Sequence, residues 1–186
     1  MTKRRFKSWL VGISLFTSVF ALVVGALGCS SPSPSNSPEE LGLIVVEGEV
    51  EAPDFTLPTM TGTEITLSQL QGKPVVLNFW AIRCPPCKQE LPYFDTVAGQ
   101  NADKATILAI NVEDGTSQIE QFFGGSEVTF IVALDKNAQM TSRYATGYIP
   151  TTFLVDSQGI VRYAKVGAFA SKEQLQASLD LTLEAM

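Results

Sequence analysis

The stretch Val75-Val76-Leu77-Asn78-Phe79-Trp80-Ala81-Ile82-Arg83-Cys84-Pro85-Pro86-Cys87 decides the fold. Its first six residues are apolar apart from Asn78, a composition that suits a strand buried on both faces better than one alternating with solvent. Two cysteines follow shortly, separated by two prolines, and residues 85 to about 98 read as a helix. Proline suits the first helical turn, where a backbone N–H has no partner to lose. A C-x-x-C at a strand-to-helix junction is the pattern of a dithiol–disulfide pair.

Other chemistries for the pair are poorly supplied. Zinc needs four ligands, yet Cys84 and Cys87 are the only cysteines in the folded part and the chain has no histidine. The same lack removes Ser-His and Cys-His mechanisms. A haem attachment site needs His after the second Cys, where Lys88 stands. An inert staple would close so small a loop that its entropic gain would be slight. No metal and no cofactor are called for. The formal charge of −6, from 13 basic and 19 acidic residues, speaks against a nucleic-acid partner. With 45% hydrophobic and 17% charged residues, wholesale disorder is excluded.

The spacing gives the pair a direction. Cys84 lies at or just before the helix N-terminus, where unpaired N–H groups and the helix dipole favour a thiolate. Cys87 lies one turn in and more deeply. Cys84 is therefore the candidate attacking sulfur and Cys87 the resolving one. Arg83 either extends into solvent or adds a charge that lowers the Cys84 pKa further; its sequence position fits both.

Working outward, residues 43–50 form a β-prone run, and 55–57 with 64–67 form a hairpin around Thr61-Gly62-Thr63. After the central strand and its helix, residues 106–112 and 130–134 read as two more buried strands. Between them, Ser117 and Glu120 have capping-box spacing ahead of Ile119, Phe122 and Phe123. A short helix is expected over 138–144, then strands at 152–155 and 160–166. A last helix starts at Ser171, with Gln174 in the capping-box place and Leu175, Leu179 and Leu183 as its buried stripe. The order predicts an α/β domain with a mixed central sheet flanked by helices and an N-terminal β-hairpin extension.

The N-terminus differs in kind. Lys3, Arg4, Arg5 and Lys7 precede residues 9–28, twenty residues without a charge. Such a length matches a bilayer's hydrocarbon core, and the basic flank would stay on the cytoplasmic side. It serves as an uncleaved anchor, a cleaved secretory signal or a lipoprotein signal ending at Cys29. Ala26-Leu27-Gly28-Cys29 resembles a lipobox, with Ala26 where Leu usually stands, so Cys29 is a candidate lipidation site. All three readings place the remainder outside the cytoplasm. The chain thus divides into a signal or anchor segment (1–29), a disordered Ser/Pro tether (30–42) and a folded domain (43–186).

The run from Phe79 to Cys87 is similar to the active-site stretch of thioredoxin-fold proteins. Ala52-Pro53-Asp54-Phe55-Thr56-Leu57, Gly72-Lys73-Pro74, Glu90-Leu91-Pro92 and Gly147-Tyr148-Ile149-Pro150-Thr151-Thr152-Phe153-Leu154-Val155-Asp156 resemble the membrane-tethered TlpA/ResA group of the redoxin superfamily. The resemblance covers about residues 50–185. It implies a thioredoxin fold and a cis Ile149–Pro150 bond facing the dithiol and presenting backbone to a partner. It further implies thiol–disulfide oxidoreductase activity at a bacterial cell membrane, on the extracytoplasmic side. The substrates would be disulfides of exported proteins, as in cytochrome c maturation, with a membrane electron-donor protein restoring the dithiol. Three departures stand out. Asn78 occupies the place of thioredoxin's buried Asp, Glu113 or Asp114 is the acid that could approach the cysteines instead, and Arg83 stands where the group usually has Trp. Competing readings are a peroxiredoxin-like peroxidase, an oxidant and a non-catalytic binding module. The peroxidase needs Thr or Ser three residues before its reactive Cys, where this chain has Ala81.

Overall fold

A computed structural model describes residues 36–185. The signal or anchor segment, Cys29 and the first part of the tether lie outside the described residues, as does Met186.

Eight strands and four α-helices make up the described chain: β1 Ile44–Val45, β2 Thr56–Pro58, β3 Glu64–Thr66, β4 Val75–Trp80, α1 Pro85–Gln100, β5 Thr106–Val112, α2 Thr116–Phe123, β6 Ile131–Asp135, α3 Gln139–Arg143, β7 Thr151–Val155, β8 Val161–Val166 and α4 Lys172–Glu184. A short 3₁₀ turn, Leu67–Leu70, follows β3. Six strands form one sheet in the order β1-β8-β7-β4-β5-β6, and β2 pairs with β3 in a separate hairpin. β4, β5 and β6 run parallel, while β7, β8 and β1 are antiparallel to their neighbours. This is the mixed sheet of a thioredoxin fold.

The all-apolar run of β4 has its cause in its place. It pairs with β5 on one side and β7 on the other, and all six of its residues are buried. Val76 and Trp80 face a core built with Leu91, Phe94, Leu175 and Leu179 from α1 and α4. Val75, Leu77 and Phe79 face a second core with Phe55, Leu57, Met140 and Tyr144, supplied by the hairpin and α3. Helices therefore cover both faces, with the hairpin completing the second.

The edge strand β6 is unusually well buried, because the chain after β2 crosses its outer side. Thr59 bridges to Ala133, and the Met60 N–H donates to the Val132 carbonyl at 2.9 Å. Asp135 ends β6 one residue later than expected; its carboxylate accepts the N–H groups of Gln139, Met140 and Thr141 at the start of α3. The start of α2 also differs from expectation. Gly115, not Ser117, is its N-cap residue, and the Gln118 side chain accepts the Gly115 N–H at 2.8 Å. The cap of α4 is Ser171 as expected, its hydroxyl accepting the Gln174 N–H.

The packed domain begins before residue 43. Residues 37–42 form a turn closed by Leu41 N–H to the Ser37 carbonyl and Leu43 N–H to the Pro38 carbonyl. Leu41 and Leu43 are both buried against the α1–α4 core, so this end of the expected tether is a strap on the domain. The reason is visible in composition: after Pro38 the Ser/Pro bias gives way to two leucines that have a core to enter. The long β-prone run expected over 43–50 shrinks to the two residues of β1, which pair with Ala164 and Tyr163.

Candidate active site

The strand-to-helix junction places the two sulfurs. Cys84 has extended backbone (φ −97°, ψ 103°) and serves as the N-cap residue of α1, with Pro85 following at the first helical position. Cys84 and Cys87 are joined in a disulfide with Cα atoms 5.3 Å apart. The Cys87 N–H points at Cys84 Sγ across 3.2 Å, an orphan donor of the helix N-terminus aimed at the sulfur. Cys87 is wholly buried, whereas Cys84 keeps 6% of its surface. The sulfur that can be reached is thus the one that the helix terminus stabilises as an anion.

Opposite the disulfide lies the loop before β7. The Ile149–Pro150 peptide is cis. Cys84 Sγ lies 3.7 Å from the Ile149 carbonyl oxygen. The loop is pinned from two sides: the Thr151 hydroxyl donates to the Tyr148 carbonyl at 2.7 Å, and the Gly167 N–H donates to the Pro150 carbonyl at 2.8 Å. Tyr148 and Val166 stand exposed beside it.

The two acids after β5 take different places. Asp114 Oδ2 accepts the Ile82 N–H at 2.7 Å and the Asn111 side-chain amide at 3.0 Å, bracing the turn that leads into Cys84. Glu113 sits at φ 71° and forms an ion pair with Arg83 at 2.9 Å. Both side chains of that pair are more than half exposed, so its field is heavily screened. Among the described residues neither carboxylate makes a hydrogen bond to a sulfur. The acid that enters the core is a different one.

Glu90, on α1 one turn beyond Cys87, is completely buried. Its Oε1 accepts the Asn78 side-chain amide at 2.9 Å, and its Oε2 accepts the Phe169 N–H at 2.8 Å. Burial pushes its pKa from the ordinary 4.5 up to about 7, against the opposing pull of these two hydrogen bonds and of Lys165. Asn78 also donates to the Thr152 hydroxyl at 3.0 Å, and its own carbonyl oxygen has no hydrogen-bond partner. Asn78 is therefore the sheet's contact with a carboxyl delivered by the helix, at the position where thioredoxin has its acid in the strand. The clue in the sequence is periodicity. Cys87, Glu90, Leu91 and Phe94 share i, i+3, i+4, i+7 spacing, which puts Glu90 on the buried stripe.

Residues 49–164 match the AhpC/TSA family. The chain belongs to that family. This AhpC/TSA protein is 34% identical over 178 residues to the thioredoxin-like protein YneN of Bacillus subtilis, covering 94% of this chain and 98% of YneN. It is 35% identical over 130 residues to a thiol-disulfide oxidoreductase ResA of Bacillus cereus, covering 69% of this chain and 75% of ResA. Among solved structures, a protein from Chlorobium tepidum assigned as thiol:disulfide interchange protein DsbE superposes with a TM-score of 0.68 at 32% identity, covering 74% of this chain and 99% of that one. The AhpC/TSA protein described here is accordingly a thiol–disulfide oxidoreductase of thioredoxin fold.

Proposed function

We propose that the protein acts at the extracytoplasmic side of a bacterial membrane, held there by its N-terminal segment or a lipid on Cys29, and reduces disulfides of exported proteins such as apocytochrome c. The carrying observation is the asymmetry of the pair: Cys84 at the mouth of α1 and Cys87 sealed beneath it. In the reduced protein, the Cys84 thiolate attacks one sulfur of a client disulfide and releases the other as a thiolate. The Cys87 thiolate then attacks Cys84 Sγ and expels the client's second sulfur. The client gains two electrons, and Cys84 and Cys87 end as the disulfide found here. Cys87 must shed its proton inside the protein. Glu90, on the same helix face and titrating near neutrality, is suited to accept it. The backbone around Ile149 and Pro150 would hold an extended client segment, and Asp114 would keep the Cys84 turn in place. Arg83 and Glu113 serve as a surface pair. A dithiol protein in the membrane would return the two electrons.

Cys87→Ser should accumulate mixed disulfides through Cys84, whereas Cys84→Ser should accumulate few; the reverse pattern would exchange the two roles. The direction of flow is tested by the reduction potential. A value near about −250 mV or lower supports a reductant, and one near about −120 mV would make the protein an oxidant of its clients. A peroxidase, the other chemistry considered, would have to work beside the fully buried Ala81, which offers no hydroxyl to the peroxide.

A further inference from the structure

Three buried polar side chains stand in one row across the sheet, on the face covered by α1 and α4. In the strand register Asn78 of β4 is opposite Thr152 of β7, and Thr152 is opposite Lys165 of β8. Asn78 and Thr152 are fully buried, and Lys165 retains only 8% of its surface. Glu90 descends onto this row from α1 through its bond to Asn78.

A lysine so buried has lost most of its water, a heavy cost unless other groups replace it. Its Nζ lies 3.5 Å from the Leu41 carbonyl of the strap and 5.4 Å from the centre of the Phe169 ring. The first contact is long and the second is a cation–π attraction; neither brings an opposite charge. Gly42 is part of the same roof: its φ is +65°, and a Cβ there would come 3.2 Å from the ammonium. The Phe169 whose ring faces Lys165 also gives its N–H to Glu90, so one residue touches both members.

We propose that Lys165 is a positioning residue of the redox site, the counter-charge that allows Glu90 to ionise inside the core and so to take the proton that Cys87 must release. This rests on the assignment of Cys84 and Cys87 made above. The other charged side chains on the surrounding elements are exposed or bonded to groups other than Glu90. On α1, Lys88 is exposed and Asp95 binds Thr129. On α4, Lys172 and Glu173 are exposed and paired with each other, and Asp180 accepts from Gln176. On β8, Arg162 is held by Asp156. The strap's Glu39 and Glu40 are exposed, and β4 and β7 carry no charge. Burial lowers the Lys165 pKa while Glu90 raises it, and Lys165 in turn pulls the Glu90 pKa down.

The direct test is a carbon-13 carboxyl titration of Glu90 in the full chain in detergent, kept as the disulfide so that neither Cys84 nor Cys87 titrates. Lys165→Met should move the Glu90 inflection upward by about one pH unit, the usual size of losing a nearby opposite charge. Lys165→Arg should restore it. An unmoved inflection in folded Lys165→Met would overturn the proposal. In the reduced protein, the pH profile of Cys84 alkylation should change with Lys165→Met in the parent chain and stay unchanged when Glu90→Gln is already present. An equal change in both backgrounds would show that Lys165 acts on the thiols without Glu90. Should the neutral variant not fold, the nitrogen-15 shift of Lys165 Nζ in the parent protein decides: a step at the Glu90 inflection supports the pair, and its absence refutes it. If the parent protein fails to reduce insulin disulfides, the roles given to the cysteines fall, while the carboxyl titration of the disulfide form still judges Lys165 by itself.

Discussion

Replacing Glu90 by Gln should remove a pH dependence of folding that the parent protein cannot avoid. The folded carboxyl titrates at about 7, above its ordinary 4.5. Between these values the native protein holds a proton that the unfolded chain has released. The unfolded state thus binds fewer protons, and stability falls as pH rises through the window, with the loss complete once pH exceeds the folded value. At ~1.4 kcal/mol per pH unit the whole window is worth about 3 kcal/mol, of which roughly 2–3 kcal/mol lies between pH 5 and 8. Gln is a neutral copy of the protonated acid. It can still accept the Phe169 N–H, and its amide can donate to the Asn78 carbonyl oxygen if that side chain turns over, an exchange that takes Asn78 Nδ2 from its present acceptors and costs the same at every pH. Urea unfolding of the oxidised protein at pH 5 and pH 8 measures the difference. The parent should lose roughly 2–3 kcal/mol between pH 5 and pH 8, and Glu90→Gln should lose almost none of it. The same pH dependence in both proteins would refute the argument and place the titrating proton elsewhere.

Asp114→Ala should lower stability by about 2 kcal/mol through loss of the charge-assisted bond from the Ile82 N–H and slow the alkylation of Cys84; thermal melting and thiol kinetics on one sample check both. Arg83→Ala should change stability by less than about 1 kcal/mol, since its ion pair with Glu113 is exposed, and a loss well beyond that in urea unfolding would show a role the surface pair does not explain. Leu41→Ala should cost about 2–3 kcal/mol, as for a buried leucine in a packed core, and a negligible effect on the urea midpoint would mean that the strap is not part of the folded unit.

The elements legible in the sequence are those where one physical cause dominates. The uninterrupted apolar run of residues 75–80 suits only a doubly covered strand, and residues 106–112 form β5 with the expected ends. Ser171 and Gln174 mark the start of α4 because the hydroxyl and the N–H to be capped are three residues apart. Where two causes compete, local reading errs. Ser117 has the better capping chemistry, yet Gly115 is the cap because Gln118 reaches back to its N–H. Residues 43–50 have β propensity, yet Gly48 stands at φ +82°, outside the strand region, and only Ile44 and Val45 pair in the sheet. At the site, the cysteines declare themselves by spacing, whereas Glu90 and Lys165 look like the solvated charges they resemble in composition. Their burial depends on the register of α1 on the sheet and on β8 beside β7, which are tertiary facts. Glu113 and Asp114 lie in the loop that approaches the site, but they support the surface and the turn while the acid in the core comes from the helix.

The crossing of the chain over β6 has a consequence for how the molecule meets other chains. An open sheet has two rims of unsatisfied N–H and C=O groups, and each can recruit a strand from any passing polypeptide. Here one rim is occupied at Thr59 and Met60, and the other ends in a strand of only two residues. A polypeptide brought to the site would therefore find little main chain to zip against along the sheet's flanks. For the exported clients proposed above, met before they fold, that limits such pairing. Sheet edges of this kind disfavour co-aggregation with such a client, which would be released when its second sulfur leaves.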